Sequence, residues 1–288
     1  MRTLLVTIGL LPFACSHGAL IQLQFDPDTT PAQRQVFEDA ADFWNSAITG
    51  YDLIHDFQGQ VREHSLTIGV SIPVIDGVGG VLGSAGPDSA TYYDNNPLGA
   101  PTLALYYTTT GSMEFDSADV AMLMSSGLFY GVVLHEMAHV LGIGTLWTFN
   151  TDLAGPGSYD LYTTGSGEYT GAAALAAWQT EFNQSGATFV PVELGGGPGT
   201  AEGHWNEVDG GAGLTGIVSN DSGMDFAYEL MTGWASGQFF VSTVTLGALD
   251  DLGYVVDYSK AGIVPVPEPA GALMTAIGCL AFLRRRRR

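Results

Sequence analysis

Two histidines and a glutamate fall within five residues, His135-Glu136-Met137-Ala138-His139. On a helix, positions four apart project from one face, one turn above each other, so both imidazoles can bind a single tetrahedral zinc ion. Glu136 between them is placed to take a proton from a water on that metal. Leu128, Val132, Val133, Val140 and Leu141 give the motif apolar flanks, which predicts an amphipathic helix over Gly127 to Leu141. Gly142 then stands where a left-handed C-cap would end the helix and turn the chain. Chance is the plain alternative for five residues, and the surrounding helix pattern with its terminal glycine argues against it.

A catalytic zinc takes three protein ligands and keeps a fourth position open. The common extended pattern places a third histidine three residues after the glycine, and this chain has Thr145 there. Cys15 and Cys279 both lie in apolar terminal segments, so the body between them has neither disulfides nor thiolate ligands. Apart from His17 near the N-terminus, the remaining histidines are His55, His64 and His204. His55 and His64 read as surface residues, whereas His204 sits among glycines in Thr200 to Glu207. Glu193 and Glu207 compete with it as carboxylate ligands.

Composition narrows the partners. A net charge of −21 is carried by a chain that is 46% hydrophobic and only 14% charged, which fits a globular body with Gly-rich loops rather than disorder. Of nine basic residues, Arg2 and Arg284 to Arg288 sit at the extreme ends, so no basic surface can form and nucleic acid is excluded as a partner. The acidic loops favour solubility in a salty exterior, with structural calcium (Ca2+) as a second use.

The elements that must position the motif can be read in order. Leu20 to Phe25 alternates as a strand, and Thr30-Pro31 caps an amphipathic helix from Pro31 to Ile48. Leu66 to Ile75 and Leu103 to Tyr107 read as further strands, separated by a loop through Gly77, Gly79, Gly80, Gly83 and Gly86. That loop matches no phosphate-binding pattern and suits a turn or a strand close to substrate. Ser117 to Met124 reads as a short helix capped by Asp116 or Ser117. Residues 143–228 are loop-rich with one helix at Ala172 to Phe182, and a last helix falls within Val241 to Leu252.

The ends read as addresses. Arg2, the apolar run Leu4 to Ala14 and the small residues up to Ala19 form a secretory signal over residues 1–19. Val264 to Pro269 reads as a stiff linker, followed by fourteen uncharged residues, Ala270 to Leu283, and five arginines. That apolar segment is shorter than the roughly twenty residues of a full span, and the arginines would hold its end on the cytoplasmic side.

Together these residues resemble the leishmanolysin-type metzincin peptidases. The resemblance rests on the zinc-helix motif with Gly142, on Gly203-His204-Trp205 after an insertion, and on Glu229-Leu230-Met231-Thr232-Gly233. It extends to Phe115 to Asp119, Gly80 to Pro87 and Leu249 to Tyr254, and covers about residues 20–258. The resemblance implies that His204, 62 positions beyond Gly142, is the third zinc ligand, and that Met231 forms the methionine turn beneath the metal. Met224 is the competing methionine, because the 27 positions between His204 and Met231 make a long connection. The tail, with Val266-Pro267-Glu268-Pro269, an apolar helix and an arginine cluster, is similar to the PEP-CTERM sorting signal of exopolysaccharide-producing Gram-negative bacteria. This implies export, transient inner-membrane anchoring and contact with a sorting machinery.

The resulting expectation is an α+β metzincin-like fold. An N-terminal lobe of about 20–142 holds a mixed twisted sheet and the zinc helix, a loop-rich C-terminal lobe covers about 143–262, and a sorting tail spans 263–288. The function expected is that of an exported zinc (Zn2+) endopeptidase of the cell envelope or exterior, acting on protein or peptide substrates. His135, His139 and His204 would hold the metal and Glu136 would be the general base. A surface or matrix-binding protein that keeps the fold without turnover is the alternative.

Overall fold

The structure, a computed structural model, describes residues 20–52, 64–94, 104–148, 161–208, 213–235 and 237–266. The signal segment, His55 and residues 267–288 of the tail lie outside this set. Among the described residues no helix is long and apolar enough to cross a membrane.

A mixed four-stranded sheet forms the frame, in the order β1 (Ile21–Phe25), β3 (Leu66–Ser71), β5 (Ala104–Phe115), β4 (Gly83–Asp94). The first three strands are parallel and β4 runs antiparallel at the edge. Helix α1 (Pro31–Ala47) starts at a capping box in which Thr30 and Gln33 satisfy each other's backbone amides. It buries Phe37, Ala40, Ala41 and Trp44, and the Trp44 indole donates to the Leu134 carbonyl at 3.1 Å. That bond fixes α1 against α3 (Phe129–Leu141). Helix α2 (Ser117–Ser126) ends at Gly127, whose φ of +76° closes it and sets α3 off two residues later than the apolar pattern alone suggests.

Three expectations change here. The Leu66 strand stops at Ser71 rather than Ile75, because Pro73 lacks an amide and the next amides turn towards Asp116. The strand expected at Leu103 to Tyr107 continues to Phe115. Its Thr/Gly/Ser-rich second half pairs with β3 on one side and β4 on the other, so backbone bonding rather than side-chain alternation defines it. Helix α3 is buried on nearly every side instead of being amphipathic, since α1, the sheet and the later part of the chain all pack on it. Gly111 permits the closest of these approaches: a Cβ there would lie 2.4 Å from Val140 Cγ1.

Beyond Gly142 the chain adds α4 (Ala172–Glu181) and α5 (Thr243–Asp251), packed on each other, with loops between. The strand Tyr254–Val256 returns to pair with β2 (Ile48–Tyr51). The Tyr254 hydroxyl donates to the Leu141 carbonyl at 2.9 Å, which ties the chain's last part to the end of α3. His64 is not a surface residue: it is half-buried, with Nε2 bonded to the Thr108 carbonyl at 2.8 Å and its ring against Tyr51. The linker also begins later than Val264, which is buried against the body.

Candidate active site

Helix geometry presents His135 and His139 together, and Gly142, at φ +119°, ends α3 in the left-handed C-cap its position predicts. Thr145 is no ligand; its hydroxyl donates to the His139 carbonyl at 2.7 Å and satisfies the helix end. The third imidazole arrives by a small ladder. Trp205 pairs antiparallel with Val192 and parallel with Thr232, and its amide donates to the Met231 carbonyl at 2.9 Å. His204 is therefore carried by the middle of three short segments. Gly144 lets this middle segment close on the helix end, since a Cβ there would lie 2.3 Å from the Gly203 carbonyl oxygen.

The three Nε2 atoms form a near-equilateral triangle with sides of 3.0, 3.0 and 3.1 Å. Each Nδ1 faces a backbone carbonyl, which can only accept: Leu230 at 2.7 Å, Ile143 at 2.8 Å and Thr200 at 2.8 Å. Every Nδ1 therefore carries its ring's proton, and three lone pairs converge on one point. Burial, reinforced by the neighbouring imidazoles, holds all three rings neutral, with pKa values lowered to about 3. Such an arrangement could hold a shared cation. A tetrahedral zinc with bonds of about 2.0–2.1 Å separates its ligand nitrogens by about 3.3 Å, close to the triangle found. Among the described residues this is the one group of three or more metal-ligating side chains so placed. Glu193 and Glu207 do not join it.

A cleft of about 580 Å³ opens onto the triangle and is lined by His135, Glu136 and His204. Glu136 is nearly buried, and burial pushes its carboxyl up to about 8. Opposite the helix, the Gly79 to Gly83 stretch forms one rim, which is where the glycine loop runs into β4.

Residues 104–282, more than half of the chain, match the leishmanolysin peptidase family. The chain belongs to the leishmanolysin family. Membership makes it a metallopeptidase of a zinc-dependent family, in agreement with the histidine triangle. The match starts at β5, so the strands and helix before residue 104 lie outside it, although the sequence resemblance covers about 20–258. A comparison with curated proteins finds no match.

The structure also brings in residues to which sequence reasoning assigned no role. Glu229 of this leishmanolysin-family chain is buried and borders the same cleft. Its carboxylate accepts from the Met231 amide at 2.6 Å, the Ser242 amide at 3.0 Å and hydroxyl at 2.9 Å, and the Thr245 hydroxyl at 2.6 Å. It thereby locks the turn whose Leu230 carbonyl orients His135. Met231 is buried in that turn, whereas Met224 belongs to a turn tied through Ser219 to Glu181 on α4. At the rim, Asp116 accepts the amides of Ile75, Asp76 and Gly77 at 3.2, 2.8 and 2.7 Å, and Asp119 accepts that of Gly79 at 3.0 Å. Amides of Ala118, Asp76 and Gly77 hold the Asp116 carboxyl down to about 2. Only the helix-cap role of Asp116 was legible from its position before Ser117.

Proposed function

We propose that this chain is an exported zinc endopeptidase in which His135, His139 and His204 hold the metal and Glu136 is the general acid–base. The observation that carries the reading is the triangle of proton-free Nε2 atoms at the floor of a cleft that Glu136 also lines. Bound zinc would supply Lewis acidity, polarising a scissile carbonyl and making water more acidic. The burial that raises the Glu136 carboxyl would be offset by a bound dication, and its carboxylate form takes the proton from the attacking water as the water oxygen bonds to the carbonyl carbon. It then delivers that proton to the amide nitrogen as the C–N bond breaks. Three backbone carbonyls keep the imidazoles in one tautomer and one orientation throughout, the usual task of partners behind metal-binding histidines.

Strand β4 ends the sheet order, and its first residue, Gly83, lines the cleft beside Glu136. An extended peptide can add to such an edge through main-chain bonds, which suits protein substrates of varied sequence. Met231 is the methionine of the turn in this reading, supported by its burial between Leu230 and the Gly233 that borders His204. Export rests on the terminal segments, residues 1–19 and 263–288, through the secretory and sorting signals they resemble. The lobe boundary near Gly142 belongs to the same proposal.

The test is Glu136→Gln. The parent protein should cleave casein in a chelator-sensitive way, and the variant should keep stoichiometric zinc while losing cleavage. Full activity in the variant overturns the mechanism. A parent that cleaves none of several unrelated proteins favours the binding-protein reading instead.

A further inference from the structure

The described chain leaves the body beside the cleft. Its last short strand, Gly262–Ile263, pairs antiparallel with Phe240–Val241, with Ile263 opposite Phe240. One residue further in that register, Val264 comes alongside Phe239, and it is buried. Phe239 lines the cleft, and its ring lies against α3: a Cβ on Gly131 would stand 2.8 Å from Phe239 Cε1. Gly131 precedes His135 by one helical turn. Antiparallel pairing aims the outgoing chain along Phe239 towards Ala235 and Trp234, which line the same cleft.

Charge and length favour the tail as an occupant of that cleft. All but one of the 30 carboxylates lie between residues 20 and 266, against the three cations Arg34, Arg62 and Lys260. Among the described residues that line the cleft none is a Lys or Arg, whereas Leu128, Val132, Phe239 and the exposed Trp234 give it an apolar wall. After Glu268 the chain carries no acid, and the uncharged run Ala270 to Leu283 leads to Arg284 to Arg288. An inter-strand step, a phenyl side chain and one helical turn put Val264 within about 20 Å of the triangle. Extended residues cover about 3.3 Å each, so the run from Ala270 onward can reach it.

We propose that the tail beyond residue 266 is a substrate of this chain's own cleft, cut in cis within Ala270 to Leu283. The proposal rests on the peptidase function given above and names one substrate for it. A segment tethered at the rim is present at about millimolar effective concentration, well above a dilute protein substrate. It therefore occupies the cleft first and competes with other peptides until it is cut. The step is a hydrolysis. The water oxygen joins the carbonyl carbon, the C–N bond breaks, and Glu136 passes the water's proton to the departing nitrogen. The body keeps a new carboxyl terminus, the fragment carries a new amine, and water is the only co-reactant.

The experiment uses the purified full chain, prepared without metal in a mild detergent, and starts on addition of zinc chloride. Intact-mass spectrometry follows the chain while casein cleavage is read on the same samples. The parent should split within Ala270 to Leu283 into two products whose masses sum to that of the parent plus one water. Its half-time should stay constant across a dilution series, as an intramolecular reaction requires. Casein cleavage should show a lag that ends as the tail is lost. Glu136→Gln should bind zinc and stay intact. A half-time that lengthens in proportion to dilution means that one molecule cuts another, and it overturns the proposal. An intact tail in a sample that cleaves casein also overturns it, and in both cases the peptidase reading stands. Equal tail loss in Glu136→Gln assigns the cut to another enzyme and overturns it too. A sample that cuts neither casein nor its own tail fails at the peptidase reading, and the proposal falls with it.

Discussion

Glu229→Ala offers the sharpest test of how the metal centre is held. Four donors converge on this buried carboxylate, and two of them, the amides of Met231 and Ser242, belong to the backbone and cannot turn to other partners. The Ser242 and Thr245 hydroxyls can rotate, and Thr245 keeps a second contact as acceptor of the Trp205 indole at 2.9 Å. Each orphaned buried donor costs about 1–3 kcal/mol, so the two amides alone predict a loss of about 2–6 kcal/mol in unfolding free energy. Glu229→Gln keeps one acceptor oxygen and should lose less. The damage is directional as well. The Met231 amide adjoins Leu230, whose carbonyl fixes the tautomer and orientation of His135 at 2.7 Å. Partners of this kind are worth roughly 10- to 100-fold in metal affinity, and a loss in that range is expected for the Ala variant. Denaturant unfolding of the metal-free protein and competition with a chromogenic chelator measure the two effects separately. An unfolding free energy within about 1 kcal/mol of the parent (below the cost of even one orphaned amide), together with unchanged zinc affinity, would refute the account of Glu229 as the lock on this turn.

Other outcomes follow from the same geometry. His204→Ala should weaken zinc binding by more than about 100-fold, beyond the effect of an outer partner; stoichiometric zinc with unchanged affinity would mean that another residue is the third ligand. Gly144→Ala places a left-handed residue at φ +73° with its Cβ against the Gly203 backbone. It should cost about 1–2 kcal/mol in backbone strain before the collision is counted, and lower both melting temperature and zinc content. Asp116→Asn should speed amide hydrogen exchange at Ile75 to Gly77 and raise KM for long peptides, with zinc content unchanged. Because the Asp116 carboxyl is held down at about 2, its hold on the rim is complete above its ordinary value of 3.8 and is lost as pH falls through 2. The parent's exchange at these amides should therefore rise in that acid window, and the variant's should not.

What could be read without coordinates was what local geometry governs. The His135–His139 spacing, the Thr30 cap and the Gly142 turn depend on residues within one or two helical turns, so residue type and spacing were enough for them. The extents of β4 and β5 were not legible, because their Gly, Ser and Thr residues carry no hydrophobic period and their definition lies in pairing with other strands. His64 looked exposed because its aromatic neighbours, Tyr51, Tyr93 and Tyr107, come from separate strands.

The same division runs through the centre itself. By itself the sequence marked a helix with two candidate metal ligands and a candidate base, and a short list of residues that could complete the set. Only the tertiary structure chose among them. His204 is delivered by a ladder whose rungs come from residues near 192, 205 and 232. Glu193 and Glu207, equally acceptable as ligands by chemistry, do not join the imidazole group. Glu229 and Asp116 acquire their tasks the same way. A buried carboxylate takes its meaning from the amides that reach it, and those amides are brought to it by the fold.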